Sequence, residues 1–513
     1  MATSERRRVY AVIAGVVFLL GQRPLLGAQQ SEAPASQSSV PVPAPAATQP
    51  TAQDMADMAR ALGEVRQELK DERQRVDDLT TEVRGLRAIV ASGGGGAADA
   101  QSLKTAVDQL HDDQEVVQSQ VKTLQQTKVE TESKYPVTLT GMVLFNSFVV
   151  DGAVDNPVLP LIAIVRNSYY THHSLGASLQ QTQIGLSATG PHLWGARSPA
   201  DFSLDFFDQS NYTAVTNGGA MNLRLRTADV NLDWDNTQIS AGLQTPLVSL
   251  LSPTSFATVG EPALSWSGNL WTWLPQITVE RKIPVTGSSR ALLGFGLIDP
   301  TTNDILGEQT YGWLRRSLQP GYEGRASYQW GDPQHPYEIG ANGYYTRQLY
   351  SLAGTPSNSQ ALDFWAGTAD WRLPVTKFGE FSGEFYRGRG IGDLGGGAFK
   401  NIVQDYDSAF SRGLDATGGW AQLKAKLNRL TEANVYAGTD QAESSEVRDG
   451  MIGSTVISPY IYLMRNRTVA ANIIFRPRTY LVFSGEYRDL RSWYIYGPSQ
   501  FAQTLNLTMG YIF

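Results

Sequence analysis

The 513 residues predict an all-β antiparallel transmembrane barrel of about sixteen strands, preceded by an α-helical coiled coil. Three observations carry that expectation. An apolar run near the start is too short to span a bilayer, a seam of apolar residues steps by threes and fours without one aromatic, and from Tyr135 to Phe513 the period becomes two.

Residues 1–28 have the form of a secretion signal. Arg6, Arg7 and Arg8 supply the basic start, Val9 to Leu20 the apolar core, and Leu26-Gly27-Ala28 a small-residue cleavage site. Residues 29–53 follow as an extended linker, because a stretch rich in Pro, Ala and Ser with no periodicity has nothing to bury. There is no aromatic residue between Gln29 and Lys134, whereas all 11 tryptophans lie from Trp194 onward. That contrast separates two structural units.

Residues 54–134 read as a coiled coil. Met55, Met58, Leu62, Val65, Leu69, Val76, Leu79, Val83, Leu86 and Val90 form the seam, and Glu68 with Arg73 and Glu82 with Arg87 are placed to pair between parallel helices. Four glycines within residues 92–100 interrupt the helix, since each costs about 1 kcal/mol relative to alanine. A second seam runs through Leu103, Val107, Leu110, Val117, Val121 and Leu124, with Gln114 at an inward position where a buried polar residue fixes register. Val and Leu in these positions lean toward two strands, so the seam alone leaves dimer against trimer open.

Residues 135–513 alternate. One parity carries Ile184 and Leu186, Phe202 and Leu204, Ile339 and Tyr345, Phe381 and Phe385, Phe483 and Tyr487; the other carries Gln183, Asp205, Glu338, Glu384 and Glu486. A β-sandwich has the same alternation. Scale favours the barrel, because strands of about ten residues are joined alternately by short turns and by long Gly, Asn and Ser-rich loops. In the final run TLNLTMGYIF, Leu505, Leu507, Met509, Tyr511 and Phe513 share one face, which suits a last strand that pairs with the first and leaves no edge in lipid.

If each strand keeps its register, Arg224, Arg226, Arg325, Lys424, Lys426 and Arg488 face the lumen, as do Asp205, Glu280, Glu338, Glu380, Glu384 and Glu486. Opposed charges across a narrow lumen create a transverse field. Arg224 and Arg226 share parity with apolar Val230, Leu232 and Trp234, so either a bulge near Thr227 changes the face or the arginines lie above the lipid band. The segment from Pro246 to Pro275, with Trp266, Trp271 and Trp273, is too long for a turn: it either folds inward as a constriction or packs outward on a neighbouring subunit.

Other chemistries find little support. A formal charge of −7 excludes a broad nucleic-acid surface, and the absence of cysteine excludes disulfides and thiolate chemistry. His172 and His173 would face opposite sides of a strand, Asp229, Asp233 and Asp235 lack the rest of a calcium loop, and no Gly-x-Ser-x-Gly elbow is present. Gly390 to Gly395 matches dinucleotide-binding spacing without a parallel-sheet context and reads as a flexible loop. Neither cofactor nor metal is expected, nor is an enzyme.

The order of these parts resembles the DcaP-like trimeric porins. Local echoes are GMVLFNSF in the first strand, LRLRTA at Leu223 to Ala228 and PQI at Pro275 to Ile277, although Trp273-Leu274 stands before PQI where that family suggests a basic residue. The resemblance implies a bacterial outer-membrane location with the coiled coil in the periplasm and a homotrimer joined through barrel and coiled coil. It also implies a terminal signal at Tyr511 and Phe513 read by the barrel-assembly machinery, and passive diffusion of small hydrophilic solutes, organic anions such as dicarboxylates among them. The alternative is a structural tether between envelope layers with a plugged or narrow barrel. Permeant solute, ion selectivity and pore diameter stay open at this level.

Overall fold

The computed structural model describes residues 136–166, 173–207, 223–299, 316–317, 319–351, 359–405, 410–449 and 462–513. The secretion signal, the linker and the coiled coil lie outside the described residues.

The strands in chain order are β1 (Val137–Asp151), β2 (His173–Ser178), β3 (Gln183–Thr189), β4 (Pro199–Asp205), β5 (Arg224–Asp233), β6 (Thr237–Gln244), β7 (Leu274–Pro284), β8 (Arg290–Ile298), β9 (Arg316–Ser317) and β10 (Gly321–Asp332). They continue as β11 (His335–Ser351), β12 (Ser359–Thr376), β13 (Gly379–Arg389), β14 (Ile402–Asp405), β15 (Phe410–Gly413), β16 (Asp415–Lys426), β17 (Thr431–Ala442), β18 (Leu463–Arg478), β19 (Leu481–Tyr494) and β20 (Gln500–Ile512). All but β14 and β15 join one 18-stranded antiparallel sheet. Its wall has sixteen positions, because β2 and β3 both pair with β1 as two halves of one strand, and β9 extends the line of β10 along β11.

The sheet closes on itself. β1 pairs with β20 from Met142 opposite Ile512 to Asp151 opposite Gln503, and the Gly141 and Phe513 amides each donate to the other residue's carbonyl at 2.9 and 3.0 Å. A Cβ at Gly141 would stand 2.4 Å from the Gln183 carbonyl and 3.0 Å from the Phe513 ring, so this seam needs a glycine. Closure leaves neither the first nor the last strand as an open edge, which is what a hydrocarbon surround demands.

Facing follows the two-residue period. On β20, Leu507, Met509 and Tyr511 are exposed outward while Asn506, Thr508 and Gly510 are buried inward; on β18 and β19, Val469, Ile473, Phe475, Phe483 and Tyr487 point out against Asn472, Ser484 and Glu486. An outer wall of exposed aliphatic and aromatic side chains around a polar interior inverts the order of a soluble protein, and fits a bilayer. No helix of the described residues is long and apolar enough to cross a membrane.

β1 begins at the rim where the turns are short, including 333–334, 377–378 and 479–480. The opposite rim carries the long connections, among them α1 (Ser444–Asp449) between β17 and β18. The segment Gly390 to Gly395 is a loop on this rim, but a packed one rather than the flexible one expected: Gly392–Leu394 form a buried 3-10 turn, and Ile391 and Leu394 join a core with Val248, Leu270, Tyr344 and Tyr386. Its glycines admit that packing, since a Cβ at Gly390 would lie 2.0 Å from the Phe364 ring.

Candidate functional site

The long connection between β6 and β7, residues 245–273, folds into the barrel. It meets the inner wall strand by strand. The Val248 carbonyl accepts from Thr368 Oγ1 at 2.7 Å, Ser249 Oγ donates to Glu384 Oε2 at 2.8 Å, the Thr254 amide donates to Gln422 at 2.7 Å, and Ser255 Oγ donates to Glu486 Oε2 at 2.6 Å. On the far side the Gln181 side chain receives the Val259 and Gly260 amides at 2.5 and 3.0 Å and donates to the Ala257 carbonyl at 2.9 Å. The break between β2 and β3 frees Gln181 for this role. The loop returns along β17 and β18, where the Ser267 and Thr468 hydroxyls lie 2.8 Å apart and Asn466 Nδ2 donates to the Trp266 carbonyl at 3.0 Å. Gly438 makes room there, because a Cβ would stand 2.2 Å from the Ser267 carbonyl.

Of the two expectations for this segment, the structure takes the inward one. Trp266 and Trp271 are buried and Trp273 half-buried. Trp266 stacks tilted on Phe399 with centroids 4.3 Å apart, and with Leu161, Ile162, Leu463 and Tyr494 these rings form an apolar cluster on the long-loop side. Trp273 packs on the edge of this cluster, its centroid 5.2 Å from that of Trp271, and also meets two arginines.

Those arginines show why the parity of β5 changes. Ser203 pairs with Thr227 and Leu204 with Leu225, leaving Arg226 as the extra residue of a bulge. Arg224 and Arg226 therefore both turn inward, each 2.6 Å from Asp205 Oδ2, while Val230 beyond the bulge faces out at 57% exposure. The carboxylate of Asp205 is fully buried, and it also accepts Arg224 Nε at 3.0 Å and the Phe207 amide at 3.0 Å. The guanidinium carbons lie 5.4 Å (Arg224) and 4.4 Å (Arg226) from the Trp273 ring centre. Two cations share one acid here. Glu261, on the inserted loop, accepts from Ser265 at 3.1 Å, and burial pushes its carboxyl up to about 7 against the opposing pull of Arg224.

The other inward charges fall into two groups. Arg325 is locked in the wall by Asp370 (2.5 and 2.9 Å), Glu338 (3.1 Å) and Asn342 (3.0 Å); Arg488 Nε donates to Glu486 at 2.7 Å. Glu384 is held by Ser249. Glu384 and Glu486 hold the loop directly through Ser249 and Ser255, while Arg325 and Arg488 hold carboxylates of the wall. Glu280 is half-buried in a cavity of 510 Å³ at the short-turn rim, beside Arg197, Arg281 and Lys282. Glu380 and Lys424 oppose each other across β13 and β16, and with Arg372, Ser382 and Gln422 they line a cavity of 340 Å³ beneath Leu250, Leu251 and Thr254 of the loop. Lys426 is exposed at that same rim, opposite Glu432.

Sequence reasoning missed Gln181, Asp370, Arg372 and Arg476. The last three share the inward parity of their strands, as Lys424 does, and parity would have found them. Gln181 sits in a strand break, for which alternation carries no signal. Among the described residues no group of His, Asp and Glu is arranged to hold a metal, and His173 lies exposed, 3.2 Å from Asp151.

A closed antiparallel barrel of sixteen strands, apolar outside and polar within, with a long loop folded into its lumen, is the porin type of β-barrel. The chain is similar to the outer membrane channel DcaP of Acinetobacter baumannii, at 14% identity and a TM-score of 0.57 over 75% of this chain and 99% of that one. An anion-selective porin from Comamonas acidovorans aligns at 12% identity and a TM-score of 0.47, covering 74% of this chain and all of the other. No family model and no curated protein sequence matches the chain. The likeness to the DcaP channel that the order of parts implied is thus present in the barrel fold.

Proposed function

We propose that this protein is an outer-membrane porin, a water-filled channel for passive diffusion of small hydrophilic solutes in the bacterial outer membrane. The observation that carries the reading is the inserted loop, braced on the wall and flanked by charged inward side chains, because a barrel used only as an anchor has no need of a polar constriction. Arg224, Arg226, Arg372 and Lys424 with Glu280 and Glu380 line the path, Asp205 holding the first two from behind; Arg325, Arg488, Glu338, Glu384 and Glu486 stiffen the wall around it. Two arginines against one aspartate beside Trp273, with Glu261 protonated below about pH 7, and Arg372 with Lys424 against Glu380, leave each group one charge positive. That excess supports small organic anions, dicarboxylates included, and the β5 arginines supply beside Trp273 the positive charge that the residue before PQI does not. The long-loop rim faces the exterior, the coiled coil occupies the periplasm, and three copies assemble.

Liposome swelling tests this directly. Vesicles carrying the refolded mature chain should swell faster in a four-carbon dicarboxylate than in a neutral solute of the same size, and absence of swelling with correctly folded protein would overturn the channel. The apolar cluster of Trp266, Trp271 and Phe399 across the outer mouth supports the tether with a narrow or plugged barrel as a second reading. Silent vesicles, together with binding of the coiled coil to cell-wall material, would establish it.

A further inference from the structure

The outer wall carries a feature the channel reading does not use. Near the long-loop rim, Arg467 on β18 stands directly opposite Arg491 on β19, and Arg465 stands opposite Trp493. All four side chains lie on the outward parity. The three guanidinium carbons surround one indole, at 4.8 Å (Arg465), 5.8 Å (Arg467) and 5.0 Å (Arg491) from its ring centre. Arg166 adds a fourth cation above Phe501, the β20 neighbour of Arg491.

Like charges directly across a strand pair repel. Here none of the four arginines makes an ion pair among the described residues. Arg465 Nε reaches only Thr439 Oγ1 at 3.4 Å, Arg491 only Ser499 Oγ at 3.2 and 3.1 Å, and Arg467 Nε is buried without a partner. Asp489, an outward acid two residue pairs along the same strands, is opposite Val469 and receives Gln503 at 3.2 Å. The Trp493 ring gathers three guanidinium groups, none of them committed to a carboxylate among the described residues, an arrangement suited to a multidentate oxyanion.

Position supplies the rest. Directly below the arginines the same strands present Val469, Ile473, Phe475, Phe483 and Tyr487 to the outside, the apolar wall that acyl chains cover. An amphiphile lying on that wall would bring its headgroup to the arginines. We infer that Arg465, Arg467 and Arg491, gathered around Trp493, form a binding site for the phosphate group of an anionic membrane lipid in the leaflet at the long-loop rim. The inference rests on the barrel lying in a bilayer and not on its conducting solutes, so a silent channel would leave it standing.

Native mass spectrometry of the folded full chain, released from mixed micelles of phosphatidic acid and phosphatidylcholine in equal amounts, tests it. The wild type should retain phosphatidic acid at least tenfold over phosphatidylcholine, and the preference should shrink between 50 and 500 mM salt. R465Q/R467Q/R491Q should bring it within twofold, whereas R429Q/R478Q, which removes two exposed arginines at the opposite rim, should leave it intact. Where the triple variant does not fold, R467Q alone should cut the preference at least threefold. Equal retention of both lipids by the wild type, or an unchanged preference in the variants, would overturn the inference. So would displacement of phosphatidic acid by 10 mM inorganic phosphate, which would show that free phosphate suffices, or dissociation of the variant's oligomer with lipid retention unchanged, which would assign the face to a second copy.

Discussion

Asp205→Asn isolates the charge balance of the constriction. In the wild type one buried carboxylate answers Arg224 and Arg226, both at 2.6 Å, so with Glu261 protonated, below about pH 7, the group carries a net positive charge of one. Asparagine keeps an oxygen for the Phe207 amide and for Arg224 Nε but removes the negative charge, doubling the net positive charge. One added unit charge acting on a monovalent ion at ~6 Å is worth about 0.7 kcal/mol in bulk water and about 3 kcal/mol at an effective dielectric of 20. Salt at 0.1 M screens over about 10 Å, which favours the lower figure for a wet lumen. Since the added charge attracts anions and repels cations alike, the permeability ratio of chloride to potassium should rise about three- to tenfold. The assay is the reversal potential of reconstituted channels under a potassium chloride gradient. Asp363→Asn is the control, the same change of charge on the outer wall, where Arg347 pairs with Asp363 at 2.8 Å. An unmoved reversal potential in Asp205→Asn, or an equal shift in the control, would refute the assignment of Arg224 and Arg226 to the solute path.

Replacing Gly438 with leucine should force the inserted loop off β17, since even a Cβ would stand 2.2 Å from the Ser267 carbonyl; single-channel conductance should change at least twofold while the barrel still shows its heat-dependent gel shift. Glu261 has a carboxyl raised to about 7, so it is neutral below that pH and anionic above it. Anion selectivity should therefore increase as pH falls from 8 to 6, and Glu261→Gln should abolish the dependence. The same shift has a stability sign: a carboxyl whose folded pKa is raised favours the folded state below about 7 and loses that contribution as pH rises through the window from about 4.5 to 7, so Glu261→Gln should gain thermal stability at pH 8 and little at pH 5. Gly141→Val should slow refolding and lower the yield of closed barrel, because the new side chain meets the Gln183 carbonyl and the Phe513 ring at the seam; an unchanged yield would mean that the seam tolerates opening.

The wall was legible because its physics is periodic. Leu507, Met509 and Tyr511 against Asn506 and Thr508 give the facing of β20 without any tertiary knowledge, and the last strand does meet the first. The conflict at Arg226 was legible for the same reason: two arginines sharing parity with Val230 need either a bulge or a place above the lipid band, and the register selects the bulge. What alternation does not encode is the interior. The route of residues 245–273 depends on partners far away in sequence, such as Glu384, Gln422, Asn466 and Glu486, and on glycines that matter only once the loop is placed. Charges of one parity looked equivalent from the sequence. In the fold Arg325 is saturated by Asp370, Glu338 and Asn342, while Lys424 and Arg372 border open space. The Gly390 to Gly395 segment, flexible by composition, is rigid by packing because its neighbours are Leu270, Tyr344 and Tyr386.

The most direct test of the central claim is planar-bilayer recording of the refolded mature chain beside a variant in which residues 250–272 are replaced by a short Gly-Ser link. A constricted channel gives stable ionic conductance in the wild type, closing in three equal steps, and a severalfold larger conductance in the variant. Equal conductance in both, or none in either while both insert as closed barrels, would contradict a lumen narrowed by its own loop and open to solutes.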